Sequence, residues 1–502
     1  MYESKTLIFI NILCIVSVIF IERKKPSEII SWILVISFFP VVGFVLYLLI
    51  GETASMKMSS KFGKKMKFDR IVKKIHHQRM YEAETLIIGA EGEQLPVDDA
   101  EREKILPLLP FPAETQKPYY QGMAMMLEQL DDSILTQDNQ ISIFTNAAEK
   151  YDALYKDIEA ATQSIHMLYF IFSADKVGNR FIDLLARKAK EGVEVRVIYD
   201  TIGSIRTRFS SFAPIIDAGG KVYRFFPLIN VLKLNYRNHR KITVIDGLIA
   251  YTGGINIGKE YIGEHKRARP WRDTSIRVTG SGVHMFQERF LMDWMHVSPE
   301  IFLFDESSVQ NKYFPRPVTT GTAGVQVVSS GPDLEGEFIK YGYIKMINSA
   351  KKYLYMQSPY FIPDDAFMLA LKLAVDSGVD VRIVLPGVPD KPMVYRITTS
   401  YMDELLKIGV RVYLYDGFIH SKMFVMDGQI VSIGTANIDI RSFLLDFEIN
   451  AFIYDEEIAQ RCMDIFMDDV DNSVEINYEQ HRKRSFFQKA LEIVLKVVAP
   501  LV

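Results

Sequence analysis

The sequence predicts an α/β protein made of two duplicated halves and preceded by an apolar helical hairpin. Three observations predict it. First, His239-x-Lys241 with Asp246 and Asn256 recurs as His420-x-Lys422 with Asp427 and Asn437, every position displaced by 181 residues. Second, strand-helix-strand patterns stand in the same order before each copy. Third, two uncharged apolar runs open the chain.

The 502 residues are 48% hydrophobic and 24% charged, ample for a large core. A net charge of -3 gives no global attraction to polyanions, so nucleic acid is not an expected partner. The two cysteines, Cys14 and Cys462, lie far apart and suggest no disulfide. No Cys/His cluster has zinc-ligand spacing, and no metal or cofactor is expected.

The elements follow in order. Residues 1–52 read as a transmembrane hairpin with spans near 6–21 and 29–50. The second run holds no charge from Ile29 to Ile50 and would measure about 33 Å as a helix, against a hydrocarbon core of roughly 30 Å. The first is shorter and could span if Lys5 and Arg23 reach back to the interfaces. Lysines 57, 61, 64, 65, 67, 73 and 74 follow it and point to a cytoplasmic catalytic part on a multi-pass cell-membrane protein, although Arg23, Lys24 and Lys25 oppose that orientation. Residues 53–135 read as a basic, then irregular, linker, whose Lys- and Met-rich start is either solvated or laid on anionic lipid. Its stretch from 76 to 135 has no clear periodicity.

The first half, 136–320, carries a helix from Tyr151 to Ala161, a strand-like run from Ile165 to Phe172 and a helix from Arg180 to Lys190. Gly192 caps that helix and an alternating strand from Val193 to Ile198 follows. The second half, 321–475, repeats this order through Lys352–Ile362, Phe367–Val375, Gly378 and Val379–Val384. Residues 476–502 read as an amphipathic helix, packed either on the protein or on a membrane surface.

Each motif reads as a strand ending in an Asp-Gly hairpin turn. Residues i and i+2 of a strand share a face, so His239 points with Lys241 and His420 with Lys422. Asp246 and Asp427 have the opposite parity and are expected to be structural. Two imidazoles with two lysines suit phosphodiester transfer. One imidazole can attack phosphorus, and the other can donate a proton to the leaving alkoxide. The lysines and Asn256 and Asn437 can hold the non-bridging oxygens. Each imidazole needs an orienting carboxylate. Asp273 is the candidate for His239 and Glu448 for His420, the alternative for each being a solvated loop charge.

These residues resemble the phospholipase D superfamily, whose signature is HxK, four residues, Asp, then a Gly-Ser-x-x-Asn stretch. Here the stretch is Gly253-Gly254-x-Asn256 and Gly434-Thr435-x-Asn437, with Gly254 and Thr435 in the serine slot. Within it the chain is similar to the bacterial cardiolipin synthases. The closer likeness lies in Ser31-Trp32-Ile33-Leu34, Tyr169-Phe170-Ile171-Phe172, Tyr251–Gly258 and Gln357-Ser358-Pro359-Tyr360-Phe361. The resemblance implies two α/β halves meeting at a pseudo-twofold cleft. It makes the two HxK motifs with Asp246 and Asp427 the catalytic signature, Thr435 a support residue and His239, by analogy, the nucleophile. It also implies transfer of a phosphatidyl group between two phosphatidylglycerols, giving cardiolipin and glycerol. A hydrolase, a nuclease, a phosphatidylserine synthase and a non-catalytic lipid-binding protein are the alternatives.

Overall fold

The computed structural model describes residues 2–21, 26–44, 47, 118–226, 235–265, 269–299, 312–317, 321–334, 336–485 and 495–496. The first half contributes β1 (Thr136–Phe144), β2 (Ser164–Tyr169), β3 (Glu194–Asp200), β4 (Lys221–Phe225), β5 (Arg237–Asn238), β6 (Ile242–Ile245), β7 (Ile249–Gly253), β8 (Trp271–Arg272) and β9 (Ser275–Thr279). The second contributes β10 (Ala323–Ser330), β11 (Tyr353–Gln357), β12 (Phe361–Ile362), β13 (Asp380–Pro386), β14 (Arg411–Tyr415), β15 (Phe418–Ile419), β16 (Met423–Met426), β17 (Ile430–Gly434), β18 (Ile438–Asp439), β19 (Asp446–Tyr454) and β20 (Ser473–Glu475).

The same topology is drawn twice. In one half β2, β3 and β4 are parallel and β6, β7 and β9 add antiparallel. In the other, β11, β13 and β14 are parallel and β16, β17 and β19 add antiparallel. β1 pairs with both β9 and β10, so the halves merge into one continuous mixed sheet.

Hydrophobic patterning explains the layers. Strands such as β2 and β19 are buried along their whole length because helices cover both faces of the sheet. The helices Ala147–Ala160 and Lys176–Lys190 cover one face of the first half around Leu154, Phe181 and Leu185. Phe338–Ser349 and Asp365–Asp376 do the same for the second around Tyr343, Met346 and Leu371. On the opposite face, Val283–Val297 and Glu456–Asp471 share one core that joins Phe286 and Phe290 to Cys462 and Phe466. Gly192 and Gly378 end the Lys176–Lys190 and Asp365–Asp376 helices at φ 92° and 88°, values that favour glycine.

Two expectations change. Helices Tyr2–Ile21 and Pro26–Phe38 pack through Val18 and Ile36, with Tyr47 beyond them in the same cluster, and the second breaks after Phe38 before helix resumes at Val42. Pro40 has no N–H to extend it, and Val41 turns at φ 65°. No helix among the described residues is long and apolar enough to cross a membrane. Within the stretch read as irregular, Pro118–Asp131 forms a helix that buries Met123, Ala124 and Leu127 against the second half. Residues 53–117 lie outside the described residues. So does most of the C-terminal amphipathic stretch, but Leu495 packs near Tyr360 and Ile397, and Lys496 Nζ donates to Glu404 at 2.6 Å.

Candidate active site

The site forms where each half sends one short strand into the other. β5 pairs in parallel with the start of β19, and β15 pairs in parallel with β8. The exchange continues by one residue on each side. The His239 N–H donates to the Phe447 carbonyl at 3.0 Å, and the His420 N–H donates to the Arg272 carbonyl at 2.6 Å. The residue after each acceptor is a carboxylate, and it reaches the incoming ring. Glu448 Oε1 lies 2.8 Å from His239 Nδ1, and Asp273 Oδ2 lies 2.7 Å from His420 Nδ1.

This corrects the pairing expected from the sequence. Asp273 serves His420 and Glu448 serves His239, so each imidazole is oriented by the opposite half. Both Nδ1 atoms are engaged, which leaves Nε2 of each ring for a substrate. Both rings are largely buried, with 9% of His239 and 8% of His420 exposed. Phe170 stands edge-on to His239 at 4.8 Å between ring centroids, and Trp271 lies 5.4 Å from His420.

Lys241 and Lys422 curl back to the carbonyls of their own histidines, at 2.5 and 2.6 Å. Burial lowers them to about 7 and about 8. His239 is driven well below the usual imidazole range by burial and then by Lys241 and Lys422. Burial and Lys422 lower His420 to about 4, with Asp273 opposing them. Each half's lysine also acts on the other half's histidine, so the two motifs lie close enough to feel one another's charge. Burial lifts Glu448 to about 7 against the pull of Lys241. Burial also raises Asp273, but the charge and hydrogen bond of His420 outweigh it, and this carboxylate ends below its ordinary value.

The middle residues of the motifs lock the crossing. Arg240 is fully buried and places Nη1 2.8 Å from both Asp293 oxygens, while Nε donates to the Glu448 carbonyl at 3.1 Å. Ser421 Oγ meets Thr274 Oγ1 at 2.7 Å. Arg272 reaches Asp469 through Nε at 3.0 Å and Nη2 at 2.8 Å. The sequence reading passed over Arg240, Asp293 and Asp469. The one signal for Arg240 was a charge with opposite parity to His239, which places it on the buried face.

Asp246 and Asp427 stay out of the site, as their parity requires. Each begins an Asp-Gly turn at φ 53° or 51°. The Asp246 carboxylate accepts 2.8 Å bonds from the N–H groups of Thr162, Gln163 and Ser164. Asp427 accepts three more at 2.8 Å from Lys351, Lys352 and Tyr353. Each lies five residues beyond its lysine, about 16 Å along an extended chain. The signature position is therefore a clamp on the start of β2 or β11 and not a group that touches substrate. Asp246→Ala is expected to lower stability by about 1–2 kcal/mol in thermal melts, with turnover per folded molecule unchanged.

The support residues differ between halves. Thr435 Oγ1 accepts from the Ile449 N–H at 2.9 Å beside Glu448. At Gly254 a Cβ would sit 2.0 Å from Asp273 Oδ1, so the shorter carboxylate occupies the space of the missing side chain. Asn256 has two local partners. Its Oδ1 accepts from the Ile171 N–H and its Nδ2 donates to the Tyr261 hydroxyl, both at 2.9 Å. Asn437 keeps a buried Oδ1 with no hydrogen-bond partner among the described residues.

The fold and the paired motifs define a phospholipase D-like protein. A family model described as cardiolipin synthase, PLD-like domain, matches residues 154–268 and 343–470, and a second, phospholipase D-nuclease N-terminal, matches 9–52. The chain is 42% identical to the cardiolipin synthase of Listeria welshimeri serovar 6b, covering 100% of this chain and 99% of that one. It is also 42% identical to that of Staphylococcus aureus strain Mu50, covering 98% and 95%. The crystal structure of phosphatidylserine synthase from Haemophilus influenzae Rd KW20 superposes with a TM-score of 0.57 at 14% identity, over 76% of this chain and all of that one, a likeness of fold alone. The chain belongs to the cardiolipin synthase family of the phospholipase D superfamily.

Proposed function

We propose that the protein joins two phosphatidylglycerols into cardiolipin, releasing glycerol, through a phosphohistidine. The observation that carries the mechanism is the crossed pair of dyads, each imidazole held by the opposite half's carboxylate. His239 Nε2 attacks phosphorus and a P–N bond forms as the P–O bond to glycerol breaks. His420, protonated when the anionic substrate binds, donates its proton to the departing oxygen. It then takes the proton from a glycerol hydroxyl of the second lipid as that oxygen displaces His239. His239, held well below the usual imidazole range by burial, is neutral and free to attack, whereas Asp273, held ionised, favours the charged form of His420. Lys241 and Lys422 stabilise the non-bridging oxygens. One phosphodiester replaces another, so no nucleotide is needed. The buried rings limit access of water to the intermediate.

The N-terminal hairpin is read as a multi-pass anchor that holds the catalytic part at the cytoplasmic face of an anionic membrane. The uncharged run at 29–50 and the N-terminal family match support this. An alkaline carbonate wash should leave the chain in the membrane pellet; release into the supernatant would remove the anchor.

The test of function is product analysis. Purified protein with labelled phosphatidylglycerol in mixed micelles, with a chelator present, is expected to yield cardiolipin and free glycerol. Phosphatidic acid as the sole lipid product would instead identify a hydrolase.

A further inference from the structure

The pseudo-equivalent walls of the cavity differ in chemistry. On the His420 side β15 places Phe418 opposite Trp271, with ring centroids 4.8 Å apart. At the matching positions on the His239 side, β5 places Arg237 opposite Asp446. Asn238 and Arg240 both turn to Asp293, at 3.2 and 2.8 Å, so Arg237 takes the alternate face with His239. Arg441 joins this wall. Its Nη2 lies 3.3 Å from Asp446 Oδ1, and its Nη1 donates to Asn235 Oδ1 at 3.2 Å.

Asp200, Asp439 and Asp446 lie near enough to act on these cations. Arg237 Nη1 donates to the Tyr236 carbonyl at 2.9 Å, and among the described residues no carboxylate lies within ion-pair distance of it. Burial, then the charge of Arg441, lowers Arg237 below the usual guanidinium value. Burial also lifts Asp446 to about 7, so the carboxylate beside the pair is itself only partly ionised near neutrality. The two arginines still repel each other, a repulsion that an incoming anion would relieve.

We infer that Arg237 and Arg441 form a second phosphate site, which holds the non-reacting phosphate of the acceptor lipid. The inference rests on the cardiolipin-forming reading. That product carries two phosphates on one glycerol, and the histidines and lysines serve only the one that reacts. Arg237 stands two residues from His239, about 6.6 Å along the strand, a separation compatible with a three-carbon bridge between two phosphates. Arginine also presents the planar fork that matches phosphate oxygens. The pair exists on one side only, as a product with one extra phosphate requires. It would favour an acceptor carrying its own phosphate over water or a small alcohol.

Two reactions of the full-length enzyme separate this role from a structural one. Cardiolipin formation needs the second phosphate, whereas exchange of labelled glycerol into phosphatidylglycerol does not. Arg237→Gln and Arg441→Gln are each expected to raise half-saturating phosphatidylglycerol for cardiolipin formation by about tenfold, with glycerol exchange unchanged and Arg237→Lys intermediate. Equal loss of both reactions, or unchanged cardiolipin formation, would overturn the site. A wild-type enzyme that exchanges glycerol but makes no cardiolipin would instead remove the functional reading beneath it.

Discussion

Alanine at His239 or at His420 is expected to abolish cardiolipin formation, by a factor of at least about 10⁴ in turnover. The two losses have different origins. Without His239 no phosphoryl group is held covalently, so neither glycerol exchange nor cardiolipin formation proceeds. Without His420 the leaving alkoxide departs unprotonated and the acceptor hydroxyl keeps its proton. Neither ring is large, but each hydrogen-bonds a buried carboxylate, so thermal melts must accompany the assays. Substantial turnover in either folded variant would rule out a two-histidine relay.

The second large effect comes from the crossed carboxylates. Asp273→Asn is expected to reduce turnover by about 10²- to 10⁴-fold, near the range seen when an orienting carboxylate is replaced by its amide. It acts on His420, in the other half of the chain. Asp273 opposes burial and Lys422 at His420. Its neutralisation therefore moves the imidazole further below about 4, leaves less of the protonated acid at any working pH, and shifts the alkaline limb of the rate profile to lower pH. Glu448→Gln does the corresponding damage at His239. Imidazole nitrogen resonances read the assignment directly: Asp273→Asn moves those of His420 and Glu448→Gln those of His239. The reverse pattern would break the crossed arrangement.

The parts of this site that were legible in the sequence are local. The Asp-Gly turns, the shared face of each His and Lys, and the exclusion of Asp246 and Asp427 from the cavity follow from strand parity over a few residues. The recurrence of the motifs made a duplicated α/β fold readable without any long-range contact. What escaped depends on pairing between distant segments. β5 meets β19 and β15 meets β8 through two-residue ladders that have no local signature, so Asp273 and Glu448 were assigned within their own halves. The same crossing hid the partnership of Arg272 with Asp469. The local partners of Asn256, the Ile171 N–H and the Tyr261 hydroxyl, were hidden too, because neither is marked in the motif. The Pro118–Asp131 helix was missed because it buries only a narrow stripe against the second half. The break in the second N-terminal run escaped because its lack of charge was weighed above Pro40, which has no N–H, and Val41 turns there at φ 65°.

The most direct test of the relay is to catch the covalent state. Enzyme turning over phosphorus-labelled phosphatidylglycerol is quenched rapidly in alkali, where phosphohistidine survives, and digested. The expected result is acid-labile label on the peptide that carries His239, lost on chase with unlabelled phosphatidylglycerol as labelled cardiolipin appears. Full turnover with no label on either motif histidine would contradict the account.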